Sequence, residues 1–114
     1  MKTQLTIIGT NHGKGTSRIW LEGKRLVEAG FEVGTRYDRN VIKAKDGWDH
    51  LELRVKSDGK FKVSGKGDKP IIDISGKAVT ETFREAIESY LPRVVVIKAD
   101  YSDGKVVLTT AGCR

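Results

Sequence analysis

Cysteine is all but missing from these 114 residues. Only Cys113 occurs, beside the C-terminus, so no internal disulfide can form, and a reducing, cytoplasmic setting is expected. It has no Cys or His pattern near it and reads as incidental rather than as a reactive thiol. Histidine is almost as scarce. His12 and His50 lie in different segments, and neither has a second His, Cys or carboxylate at ligand spacing, so no metal site and no cofactor are expected. Long apolar runs are absent: nothing approaches the roughly 18 residues of a membrane span, and "MKTQLTIIGT" is too short and too polar for an export signal. No membrane partner is expected. Catalytic groups are thin as well, since Ser17 has His12 nearby but no orienting acid. "NHGKGTSRIW" leads into a strand rather than a helix and is not a phosphate-binding P-loop. His12 as a general base on an RNA 2′-hydroxyl, with Lys14 or Arg18 beside it, is weaker than a plain surface histidine, and no catalytic residue is assigned.

What is present is positive charge, net +6, and it is localised. From His12 to Leu26 Lys14, Arg18, Lys24 and Arg25 face only Glu22. From Arg54 to Lys77 Arg54, Lys56, Lys60, Lys62, Lys66, Lys69 and Lys77 face Asp58, Asp68 and Asp73. Such clustering favours an anionic partner.

The chain also repeats itself. "VIKA" occurs at Val41–Ala44 and Val96–Ala99, and each copy follows a Gly-Lys-Gly turn, a short apolar strand, Gly-Lys and a helical pattern reaching Phe31 or Phe83. Ile19 aligns with Ile72, Leu21 with Ile74, Gly23 with Gly76, Lys24 with Lys77 and Leu26 with Val79. Each unit reads as strand, helix, strand, strand. Alternation puts Ile19 and Leu21 on one strand face, and Gly30 suits a left-handed helix cap. Val79, Phe83, Ile87 and Tyr90 make one face of a long second helix that Pro92 ends. Asp46-Gly47, Asp58-Gly59 and Asp103-Gly104 are hairpin signals. Trp20 is expected in the core, and Trp48 as turn-side packing or a partner contact. One unit alone has too small a core. The expected organisation is one domain over 1–114, with units 10–55 and 63–110 joined by a basic hairpin 56–69 and a further strand at the N-terminus.

"KVSGKGDKPIIDISGKAV" resembles the start of a SpoVT/AbrB-type swapped-hairpin domain, in which a basic glycine turn and a short apolar strand precede a helix. "IWLEGKRLVEAGFEVGTRYDRNVI" is similar to the SymE-like branch, with Leu21, Gly23, Leu26, Ala29, Gly30, Phe31 and Gly34 at its pattern positions. The repeat implies a mainly β (α+β) fold with two helices, in which tandem β-α-β-β units form an intramolecular pseudo-dimer, and the resemblance implies that they close one swapped-hairpin-like β-barrel. The resemblance also implies a duplex-DNA-binding transcriptional regulator of AbrB type, or, through the SymE-like branch, an RNA-directed toxin.

The residues expected to contact nucleic acid are Lys14, Arg18, Lys24, Arg25, Lys60, Lys62, Lys66, Lys69 and Lys77. Lys24, Arg25 and Lys77 begin helices, where the macrodipole gives a cation no stabilising role. Basic turns repeated in both units would form a paired surface for phosphates, with Arg18 and Arg25 the candidate guanine readers. Duplex DNA is the favoured partner and RNA the second. A protein partner, as for an interaction module or a viral inhibitor of a host enzyme, is a third reading, and self-association into a homodimer is left open.

Overall fold

The computed structural model describes residues 2–11, 16–45 and 47–114, apart from the side chains of Thr10, Asn11 and Thr16. His12, Lys14 and Asp46 lie outside the described residues. The elements are β1 (Lys2–Ile7), β2 (Gly9–Asn11), β3 (Thr16–Glu22), α1 (Lys24–Glu28), β4 (Arg36–Ile42), β5 (His50–Val55), β6 (Phe61–Lys62), β7 (Ser64–Lys66), β8 (Lys69–Ser75), α2 (Lys77–Thr82), α3 (Arg84–Tyr90), β9 (Val95–Ser102) and β10 (Lys105–Cys113). They form a six-stranded antiparallel sheet in the order β1-β9-β10-β5-β4-β6 and a four-stranded one in the order β2-β3-β8-β7.

Strand alternation sets the inner faces. β9 buries Val95, Ile97, Ala99 and Tyr101, β10 buries Val106 and Leu108, and β5 buries Leu51 and Leu53. From the smaller sheet come Ile19, Leu21, Ile72 and Ile74, and the helices add Leu26, Val79, Phe83 and Ala86. Gly23 and Gly76 link β3 to α1 and β8 to α2 with φ of 91° and 71°, a left-handed conformation that glycine adopts without steric cost.

The ladders carry a pseudo-two-fold. In β3–β8, Ile19 faces Ile74 and Leu21 faces Ile72, so exchanging Ile19 with Ile72 and Leu21 with Ile74 reproduces the same pairing about a centre at Trp20 and Asp73. In β5–β10, Leu51 faces Leu108 and Leu53 faces Val106, an equally self-reciprocal pairing centred on Glu52 and Val107. β1 flanks β9 as β6 flanks β4, and β2 flanks β3 as β7 flanks β8. The segment 56–69 therefore runs parallel in role to the N-terminal strands. Its β6 pairs with β4 rather than with β5, and the hairpin within it is β7–β8, turning at Gly67-Asp68.

Several expectations are corrected. The barrel is not closed: both sheets are open. The chain passes from one sheet to the other at Ile8 and at Val63, while α1 and α2 pack on β3 and β8 and α3 packs on β9. Helical side chains fill the seams that strand pairing would otherwise have to close. Among the described residues the helices are three rather than two, because the expected long second helix breaks at Phe83 (φ −106°, ψ 21°), whose ring is wholly buried. Trp20 faces outward, as it must between the buried Ile19 and Leu21.

The two VIKA copies are not equivalent. Val41 faces Leu51 and Tyr101 faces Val106. The two-fold exchanges Leu51 with Val106, so Val41 corresponds to Tyr101 rather than to Val96. The copies also present opposite faces, since Val41 shares a face with buried Tyr37 whereas Ile97, not Val96, is the buried residue of the second. Residues 43–49 connect the first hairpin and Asp103-Gly104 alone connects the second, and this difference in loop length moves the matched letters out of register.

Candidate nucleic-acid interface

The outer face of the four-stranded sheet is built by the residues that alternate with the core. β3 presents Arg18, Trp20 and Glu22, and β8 presents Lys69, Ile71, Asp73 and Ser75. Trp20 and Asp73 pair at the pseudo-two-fold centre. The Arg18 guanidinium lies 4.6 Å from the Trp20 ring centroid, and its Nε is 3.7 Å from an Asp73 carboxylate oxygen. Lys69 Nζ is 3.7 Å from Glu22, and Lys69 pairs across the β7–β8 hairpin with exposed Lys66. Exposed pairs of this length contribute about 0–1 kcal/mol and give way readily to another anion.

Lys24 and Lys77 extend the pattern. The Gly23 N–H donates to the Pro70 carbonyl and the Gly76 N–H to that of Ser17, which fixes the two helix starts at opposite ends of β3–β8. Six residues of strand at ~3.3 Å each separate those levels by about 20 Å. Positive charge thus sits at both ends of one face: Lys24, Lys66 and Lys69 at one, Arg18 and Lys77 at the other. Among the described residues no carboxylate lies within 4.0 Å of Lys24, Lys66 or Lys77.

The remaining expected residues lie elsewhere. Arg25 lines a crevice with Ala29 and Tyr101, beside the Lys2–Glu28 ion pair, and is turned away from this sheet. Lys60 and Lys62 lie round the corner at the β6 edge of the six-stranded sheet. There the ladder brings them beside Arg36, Arg54, Lys56 and Lys105, and Arg36 and Lys105 are cations that linear charge counting overlooked. That second basic corner is the more neutralised. Glu52 accepts from Arg54 at 3.1 Å, and Asp38 accepts from the Lys60 backbone N–H at 2.9 Å and lies 3.6 Å from Lys56. The backbone bond from Lys60, with the Lys56 charge beside it, holds the Asp38 carboxyl below its ordinary range.

Trp48 is a packing residue, edge-on to Tyr90 with ring centroids 5.3 Å apart. Among the described residues no three His, Cys, Asp or Glu side chains gather as a metal site, and no helix is long and apolar enough to cross a membrane. No family model, no curated protein and no solved structure matches the chain.

Proposed function

We propose that the chain binds nucleic acid, duplex DNA in preference to RNA, through the outer face of its four-stranded sheet, as a small regulator rather than an enzyme. The observation that carries this reading is the two-ended arrangement of Arg18, Lys24, Lys66, Lys69 and Lys77 about the Trp20–Asp73 centre. A duplex offers phosphates on both sides of a major groove about 12 Å wide, and cations about 20 Å apart at the two ends of a strand pair can reach both rims. Phosphate contacts of this kind position a protein without reading sequence. Trp20, at the centre with the Arg18 guanidinium over its ring, is the group that would meet base edges.

The test is charge reversal on one face against the other. Lys66→Glu with Lys69→Glu is expected to weaken binding of a labelled random duplex about tenfold or more at fixed salt, since each hydrogen bond to a charged group is worth about 1.5–3 kcal/mol. Lys98→Glu with Lys105→Glu, on the outer face of the six-stranded sheet, is expected to change it less. Equal losses from both pairs would mean that net charge alone drives the association. Preference for labelled single-stranded RNA over the duplex would reject the DNA reading.

A further inference from the structure

Arg39 is a cation that strand alternation turns towards the core. It lies on β4 between the buried Tyr37 and the exposed Val41, and it is half-buried. Its guanidinium sits 3.8 Å from the Phe61 ring centroid, and its Nη2 donates to the Tyr37 hydroxyl at 3.3 Å. Its Nε is sealed from solvent and makes no hydrogen bond. Among the described residues no carboxylate lies within 4.0 Å of it. A guanidinium on an aromatic face gains cation–π attraction, but a buried donor without an acceptor is unfavourable and calls for an explanation.

The same side chain lines a cavity of about 400 Å³ between β4, β6 and α2, whose other walls include Val41, Leu51, Phe61, Ala78 and Thr82. Its volume and mostly apolar wall suit a small ligand held by one or two polar contacts. The two-fold shows that this space is not forced by the fold. The sequence positions of Ala78 and Thr82 correspond to Arg25 and Ala29 in the other half, and Val41 corresponds to Tyr101. In that half the larger Arg25 and Tyr101 line a smaller crevice of about 230 Å³, with the Lys2–Glu28 ion pair beside them. One half carries bulk where the other carries small side chains and an unpaired arginine.

We infer that this cavity is a binding site for a small amphipathic carboxylate. Arg39 pairs with the carboxylate through its Nη groups, and Phe61, Leu51, Val41 and Ala78 enclose the apolar body. Lys60 at the rim adds a second positive charge, while Asp38 beside it is already engaged by Lys56 and the Lys60 backbone. The site lies apart from the outer face proposed for nucleic acid and stands independently of that reading.

The experiment is a titration of the full chain with benzoate and with octanoate, followed by backbone amide chemical shifts. Benzyl alcohol and inorganic phosphate serve as probes lacking the charge or the apolar body. Saturable shifts are expected at Arg39–Val41, Leu51, Phe61 and Ala78–Thr82 with the carboxylates, and weaker binding with either comparison probe. Arg39→Gln should lower affinity about tenfold or more, the loss of one charged hydrogen-bonding partner. Ala78→Leu, which keeps Arg39 and occupies the cavity, should lower it similarly and guards against an Arg39 variant that folds poorly. Absence of saturable shifts, shifts centred elsewhere, undiminished binding by Ala78→Leu, or phosphate or benzyl alcohol binding as tightly as benzoate would each overturn the assignment.

Discussion

At the scale of single residues, the side chains that matter are those whose neighbours contradict their chemistry. Tyr101 is the clearest titrating case. Its hydroxyl donates to Gln4 Oε1 at 2.9 Å, and burial pushes its pKa from 10.0 up to about 12, against a smaller opposing effect of Arg25. A phenol that keeps its proton more firmly when folded adds stability that is whole below pH 10. That stability is lost as pH rises from 10 towards 12, where the unfolded chain has released the proton and the folded chain has not. Unfolding free energy should therefore fall across that window in the native protein and fall less in Tyr101→Phe. Denaturant unfolding at several pH values checks this, and identical slopes for the two proteins would refute it. Trp20 teaches a different lesson. Its outward position was implied by Ile19 and Leu21 on either side, because successive strand residues face opposite ways. Hydrophobicity alone argued for the core and was the weaker guide.

At the scale of elements, the strand runs, the Asp103-Gly104 turn and the end of helix before Pro92 were legible, because each depends on near neighbours in sequence. The pairing order was not. β6 lies against β4 although β5 is closer in the chain, and the reason is a long-range fit. A Cβ on Gly59 would come within 2.5–2.7 Å of the Tyr37 backbone, so the turn after β5 presses directly on β4. Asp58-Gly59 looked like a hairpin turn wanting a positive φ, yet what Gly59 supplies is close approach. Gly59→Ala should consequently destabilise the fold by about 1–3 kcal/mol, the usual cost of overpacking a fixed backbone contact. A denaturation midpoint measured with unchanged m-value is the check, and an unaffected midpoint would show that the loop yields. Loop length also hid the true correspondence of the halves. The longer connection at 43–49 shifts the first copy against the second, so identical letters at VIKA point to opposite sides of the sheet.

At the scale of the whole molecule, two similar halves share one core across two self-reciprocal ladders, β3–β8 and β5–β10. The kinship of the halves could be read from Ile19, Leu21, Gly23 and Lys24 and their counterparts, because those positions keep both spacing and face. The open architecture could not be read, since whether edge strands meet or helices fill the seam depends on packing across the molecule. The candidate interface was legible in part. Charge counting found Arg18, Lys66, Lys69, Lys24 and Lys77, which the fold sets on or at the ends of one face. It merged with them Lys60 and Lys62, which the corner at Val63 sends to another surface, and Arg25, which α1 turns towards Ala29 and Tyr101.

The central claim is that the positive face of the smaller sheet meets the phosphates of a duplex. Its most direct test is the affinity of the intact chain for random duplex DNA, measured by fluorescence anisotropy across a range of salt concentrations. If Arg18, Lys24, Lys66, Lys69 and Lys77 each neutralise one phosphate, log K should fall with log salt at a slope of about −4 to −5, at roughly −0.9 per phosphate. Absence of binding at low salt, or an affinity that barely responds to salt, would contradict it.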